Sequence, residues 1–136
     1  MTRPEVPAPV VLDCQALSLL AADDRKMLAR VETARLSGVP ALVSVLTIIE
    51  ATGPKTSLAR LRWVRSRLTV VPVTEEDADT AVQLLRQSGG LHGHRYAIDA
   101  AVAAMALRQP GRPVVVTSDP GDWARLCGDR VRIVPV

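Results

Sequence analysis

Phenylalanine is absent from the 136-residue chain, and Trp63, Tyr96 and Trp123 are its only aromatic residues. A platform on which the bases of a single strand stack in succession is therefore poorly supported, and any nucleic-acid contact has to run mainly through charge and metal. Lysine is nearly as scarce, Lys26 and Lys55 alone, so the basic side of the balance, 17 Lys and Arg against 14 Asp and Glu for a net +3, is carried by arginine. Arginine suits bidentate phosphate contacts, although the same bias can follow from genome composition. The two cysteines, Cys14 and Cys127, match no zinc spacing and are too few for a disulfide framework, so both are expected as reduced thiols in or near the core. No apolar run approaches the ~18 residues of a membrane helix. The start, Met1-Thr2-Arg3-Pro4-Glu5-Val6-Pro7, lacks the basic-then-apolar layout of a secretory signal. A soluble, cytoplasmic chain with no membrane partner is the expectation. What is present is a 48% hydrophobic composition in a length that suits one domain with one core.

The pattern along the chain alternates strands with helices. Pro4, Pro7 and Pro9 mark residues 1–9 as a flexible lead-in, followed by one domain over residues 10–136. Val10-Val11-Leu12 reads as a buried strand, with helical stretches from Ala16 to Ala22 and from Asp24 to Ser37, the second stopped before Gly38. Ala41-Leu42-Val43 is a second strand. Ser44 can cap a short helix carrying Glu50, which Gly53-Pro54 must end. A helix around Leu58, Leu61, Val64 and Leu68 spreads Arg60, Arg62, Arg65 and Arg67 among its apolar positions. A third strand over Thr69 to Val71 leads to a helix opened by Thr74-Glu75-Glu76-Asp77 and closed by Ser88-Gly89-Gly90. A loop around Gly93, an alanine-rich helix from Tyr96 to Arg108, a strand at Val114-Val115-Val116, a short helix from Pro120 to Leu126 and a strand from Val131 to Val134 complete the chain. Continuous apolar strands separated by helices predict a single-domain α/β fold with a parallel sheet covered on both faces. Functional residues in such sheets gather at the carboxyl ends of strands, where strand order reverses.

Four acids stand where surface decoration explains them poorly: Asp13, Glu50, Asp99 and Asp119. Each also has a structural reading. Asp13 follows a strand and can cap the next helix. Glu50 sits one helical turn after Leu46 in an apolar run with no solvated stripe, so its carboxylate calls for a partner, an arginine or a metal. Asp99 lies in the first turn of its helix, where the dipole favours an acid by about 0.3 to 1 kcal/mol. The alanines that follow let that helix lie close to the sheet. Asp119 precedes Pro120 and can be a helix cap with proline at the first helical position. Together, two strand-end acids and two helix-borne acids converge on one edge of the sheet. Carboxylates about 6 Å apart repel by on the order of 3 kcal/mol at an effective dielectric of 20. A divalent cation removes that cost, and oxygen ligands without His or Cys suit Mg²⁺ or Mn²⁺, which support attack of water on a phosphodiester.

Val11-Leu12-Asp13, the run from Val43 to Glu50, Asp99-Ala100-Ala101-Val102-Ala103-Ala104, and Val116-Thr117-Ser118-Asp119-Pro120-Gly121-Asp122-Trp123, in this order, resemble the PIN-domain ribonucleases and, within them, the VapC-like toxins of bacterial toxin–antitoxin pairs. The resemblance spans Val10 to the C-terminus. It implies a five-stranded parallel sheet, Mg²⁺ or Mn²⁺ held by an acidic quartet, and endonucleolytic cleavage of RNA. Residue by residue, it makes Asp13, Glu50, Asp99 and Asp119 catalytic and metal-holding, adds Asp122 as a further acid, and makes Thr117 a hydroxyl that supports a ligand carboxylate. It also implies a homodimer and an antitoxin partner. Cys14-Gln15 departs from the small or hydroxylated residues expected after the first acid, which bears on substrate contacts there.

His92, His94 and Arg95, in the loop before Asp99, either reach RNA phosphate or form a solvated loop. The four arginines from Arg60 to Arg67 are an RNA track, an antitoxin-facing surface or a solvated helix face. Two other phosphate enzymes of this architecture are excluded. A haloacid-dehalogenase-type phosphatase needs an Asp where Gln15 stands, and a response-regulator receiver needs paired acids at the first strand and a lysine after the fifth. The rival of a different class is a catalytically silent PIN-like module that binds RNA or a protein.

Overall fold

The computed structural model of the protein describes residues 7–136. The chain runs β1 (Val10–Leu12), α1 (Cys14–Ala21), α2 (Arg25–Leu36), β2 (Ala41–Ser44), α3 (Val45–Ala51), α4 (Leu58–Arg65), β3 (Thr69–Val71), α5 (Glu75–Gln87), α6 (Ala97–Arg108), β4 (Val114–Thr117), α7 (Pro120–Cys127), a 3-10 turn (Gly128–Arg130) and β5 (Arg132–Pro135). All five strands are parallel, in the order β3-β2-β1-β4-β5. Most of the lead-in expected over residues 1–9 lies outside the described residues. Its last residue is already ordered by the sheet, since Pro9 is buried and its carbonyl accepts from Val114 N–H at 3.0 Å.

Side-chain alternation along the strands divides the core. Leu12, Val43 and Val116 point to one face, where Leu17 and Leu20 of α1, Met27 of α2, and Leu61 and Val64 of α4 cover them. Val11, Leu42 and Val115 point to the other, beneath α5, α6 and α7. Each fully buried Leu or Val contributes about 1.5 to 3 kcal/mol. The alanines of α6 do what the sequence suggests: Ala100, Ala103 and Ala106 are wholly buried, and the helix lies deep in its cluster.

Local chemistry explains where the helices begin. Asp24 accepts from Met27 N–H at 2.9 Å to start α2, Ser57 accepts from Arg60 N–H at 3.1 Å to start α4, and Thr74 and Asp77 form a reciprocal capping box on α5. Asp77 is also buried against Arg108 of α6, with guanidinium nitrogens 2.9 Å from each carboxylate oxygen, which pins α5 to α6. Gly38, just past α2, has φ +72°, a conformation that a residue with a side chain seldom adopts.

The order of the strands fixes where a site can form. β1 is central, the chain winds outward from it through β2 and β3, and then crosses to β4 and β5 on the opposite side. Strand order therefore reverses between β1 and β4, and a crevice opens at their carboxyl ends. Among the described residues no helix is long and apolar enough to cross a membrane.

Candidate active site

Asp13 follows β1 directly and is buried, 4% exposed, at the reversal point. Three donors converge on its carboxylate. Cys14 N–H donates to Oδ1 at 2.9 Å, Thr117 Oγ1 to Oδ2 at 2.8 Å and Trp123 Nε1 to Oδ2 at 3.0 Å. Asp13 is thus the cap of α1 and a fixed carboxylate at the crevice at once. Two carboxylate oxygens offer about four acceptor sites. The three bonds hold the group's orientation and leave it room for one further partner.

Asp119 does not cap α7 with its side chain, which corrects that reading of the Asp-Pro pair. Its backbone N–H donates instead to Thr117 Oγ1 at 2.9 Å, and Pro120 at the start of the helix has no N–H to satisfy. The exposed Asp119 carboxylate is left free for the crevice. Thr117 therefore links the two strand-end acids, donating to one and accepting from the backbone of the other.

Glu50 corrects a second expectation. Its helix has a solvated side: Ile49 is 72% exposed and Glu50 itself is exposed, and Thr47 is the buried residue of α3. An apolar run does not guarantee burial of every member. The position serves the crevice nonetheless, because α3 packs between α1 and α6. Asp99, in the first turn of α6, comes from the opposite layer.

Asp13, Glu50, Asp99 and Asp119 line one cleft of about 220 Å³, together with Cys14, Gln15 and Ser118. Electrostatics register the crowding. Burial, then the neighbouring charges of Asp13, Glu50, Asp119 and Asp122, push the Asp99 carboxyl up from 3.8 to about 7. The helix dipole alone would act the other way, so desolvation and like charge win at this position. Glu50 is also raised, by burial and then Asp13, against a hydrogen bond from Cys14. Burial, followed by Glu50 and Asp13, raises the Cys14 thiol to about 11, so it faces the cleft as a neutral donor rather than a thiolate.

Asp122 lies in the first turn of α7 and acts on Asp99 through its charge, but it does not line the cleft. His94 and Arg95 do not line it either; both are exposed, and Arg95 lies over its neighbour Tyr96 with 5.3 Å to the ring centroid. Of the four arginines from Arg60 to Arg67, Arg60 on α4 and Arg67, just past its end, stack on Trp63 at 4.3 and 4.8 Å to the ring centroid, and Arg60 also pairs with Asp23 at 2.8 Å. The cysteines are free thiols, Cys127 buried in the core and Cys14 at the cleft. The sequence reading assigned no role to Trp123, whose indole is the third hand on Asp13. The available signal was its place one helical turn after Asp119 as a lone aromatic.

Among the described residues no group of three or more His, Cys, Asp or Glu side chains is arranged as a ready-made metal cage. The donor chemistry nevertheless fits a hard cation. The carboxylates are all oxygen donors, they converge from four elements, and the Asp99 carboxyl, raised by burial and then by the neighbouring acids, gains from a cation that offsets their charge. Mg²⁺ in particular keeps several waters and is held by one or two carboxylates plus substrate oxygens, so an all-protein cage is not needed.

A doubly wound parallel sheet with an acidic cleft at its reversal point defines a class of single-domain α/β proteins. A family model described as the PIN domain matches residues 10–128, and the chain belongs to the PIN domain family. No curated protein matches it at a significant level. Among solved structures the chain is similar to VapBC2 from Rickettsia felis bound to a promoter DNA fragment, with TM-score 0.70 and 14% identity over 93% of this chain and 98% of that one. It is also similar to DNA-bound VapBC from Salmonella typhimurium, with TM-score 0.65 and 22% identity over 95% and 98%. A toxin–antitoxin complex from Klebsiella pneumoniae aligns with TM-score 0.63 and 19% identity over 92% and 95%. These similarities establish a VapC-like PIN fold.

Proposed function

We propose that the protein is a metal-dependent endoribonuclease, the toxin of a toxin–antitoxin pair, acting in the cytoplasm. The single observation that carries the reading is the convergence of Asp13, Glu50, Asp99 and Asp119 on one cleft, with the Asp99 carboxyl raised to about 7 by burial and then by the other acids. Family membership supports a nuclease, and the VapBC complexes to which the fold is similar support a protein antitoxin as partner. Leu36 on α2 and Leu58 on α4, exposed at 74% and 62%, offer such a partner apolar contact. A second copy of the chain belongs to the same reading.

In this reading the four acids, with Asp122 adding charge from α7, hold Mg²⁺ or Mn²⁺. The cation, when bound, supplies a water of lowered pKa and neutralises charge developing on the phosphate. The chain's own residues do the positioning. Thr117 and Trp123 lock the Asp13 carboxylate so that it cannot swing toward solvent. Thr117 also ties down the backbone of Asp119. The bonds to Asp13 hold its ligand oxygens in place before substrate arrives, which lowers the reorganisation needed in the transition state. Arg95 and His94, exposed just ahead of Asp99, are in this reading contacts for RNA phosphates outside the cleft.

The test is cleavage of end-labelled structured RNA by the wild type and by Asp99→Asn, in Mg²⁺, in Mn²⁺ and in EDTA. Cleavage that requires metal and falls by at least about a hundredfold in the variant is the expected result. Equal behaviour of the two proteins across several RNAs would overturn the reading in favour of a silent binding module.

A further inference from the structure

Beyond the acid cleft, a larger groove of about 600 Å³ shares Glu50 as a wall and runs along the turn between α3 and α4, past Gly53, Lys55, Thr56 and Ser57 to Ser18 of α1. Its size is in the range of about 300 to 1,000 Å³ that holds small organic ligands. The turn is tied at its base: Gly53 N–H donates to Thr56 Oγ1 at 2.9 Å, and Thr56 N–H donates to the Gly53 carbonyl at 3.1 Å. Lys55 stands exposed inside that closed turn, so its backbone is held while its ammonium is free to reach. Glu50 is the one carboxylate among the described residues that line the groove, and it stands at the end shared with the cleft. Away from Glu50 the walls are hydroxyls, small side chains and one cation. Among the described residues no aromatic side chain lines the groove, so it offers contact to a backbone rather than a surface for base stacking.

We propose that this groove holds the single-stranded RNA flanking the bond to be cut, with the Lys55 ammonium against a backbone phosphate. The proposal rests on the nuclease reading of the acid cleft, because a strand whose phosphodiester lies among those acids has to leave along a neighbouring channel, and Glu50 makes these two continuous. Charge complementarity decides the occupant: a polyanion gains from Lys55 and from a wall poor in acids. Recognition there is of phosphate and sugar, and therefore tolerant of sequence.

The two lysines of the chain allow a matched test. Lys55→Ala and Lys26→Ala remove the same unit of charge from exposed positions, but Lys26 lies on α2 and does not line this groove. Binding of labelled single-stranded RNA is measured by fluorescence anisotropy across a salt series in Mg²⁺, in an Asp99→Asn background that keeps the RNA intact. Cleavage by the parent with Asp99 present is measured alongside. Lys55→Ala is expected to weaken binding by about threefold to tenfold at low salt and to flatten the slope of log K against log salt by roughly 0.7, the value for one single-strand phosphate. Lys55→Arg restores both, oligo(U) and oligo(A) show the same loss, and Lys26→Ala matches the parent. If Lys55→Ala and Lys26→Ala shift affinity and slope alike while the parent cleaves RNA, the groove assignment is overturned and the nuclease reading stands. If the parent neither cleaves nor binds RNA, both fall together.

Discussion

At the scale of single residues, the candidate site depends on Asp13 being held rather than merely present. A buried carboxylate deprived of one hydrogen-bond donor loses about 1 to 3 kcal/mol of stabilisation. Trp123→Phe keeps most of the ring volume in the α7 core and removes the Nε1 donor. It is expected to lower unfolding stability by about 1 to 3 kcal/mol in urea titration and to reduce RNA cleavage by more than the folded fraction accounts for. A variant as stable and as active as the wild type would mean that the 3.0 Å indole contact does not hold the acid. This contact could not be seen in advance. Trp123 and Thr117 stand 110 and 104 positions from Asp13, and only the pairing of β1 with β4 brings them together. Sequence chemistry nominated Asp13, Glu50, Asp99 and Asp119 by residue type and by their places at strand and helix ends, which are local properties. It could not say that Asp119 would leave its helix uncapped, because that depends on the Thr117 hydroxyl taking up its N–H.

At the scale of elements, periodicity and turn chemistry carried most of the information. The strand at Thr69 to Val71, the capping box at Thr74 and the glycine stop after α2 sit where their side chains predict. The exposed flank of α3 was not legible, because an apolar run states which residues prefer burial and not whether another element arrives to cover them. Ile49 stays in solvent because α3 packs on α1, α6 and β2 with its other flank. The alanine-rich α6 shows the opposite case, since small residues are informative when they are needed for close approach. Ala103 is fully buried. Ala103→Leu inserts three carbons into that contact and is expected to cost about 1 to 3 kcal/mol or more by overpacking. Because α6 carries Asp99, the displaced helix should also lose cleavage activity. Thermal unfolding and cleavage measured together check this, and a variant with wild-type midpoint and activity would show that α6 has slack against the sheet.

At the scale of the whole molecule, two carboxylates set opposite dependences on pH. Arg108 holds Asp77 below the usual carboxylate range, so its contribution is present at neutral pH and is lost as pH falls through its lowered value. Asp99 behaves in reverse. With its carboxyl raised from 3.8 to about 7, the folded protein keeps a proton that the unfolded chain releases, so stability falls as pH rises across that window and the cost is complete above it. Without divalent metal, thermal stability should therefore peak near pH 4, decline as pH rises toward about 7 and level off above it. A cation that binds the cleft competes with that proton, and its affinity should rise with pH up to about 7. Mg²⁺ at roughly ten times its dissociation constant adds about 1.4 kcal/mol, or on the order of 4 °C for a domain of this size. The expected result is a midpoint rise of that order at pH 8 and a much smaller one at pH 5, read by scanning calorimetry. Asp99→Asn removes the decline between about pH 4 and 7, raising the metal-free midpoint at pH 8, and reduces the Mg²⁺ effect at the same time. A metal response of equal size at both pH values would show that the cation does not meet Asp99. A pH profile unchanged in Asp99→Asn would assign the decline between about pH 4 and 7 to another group.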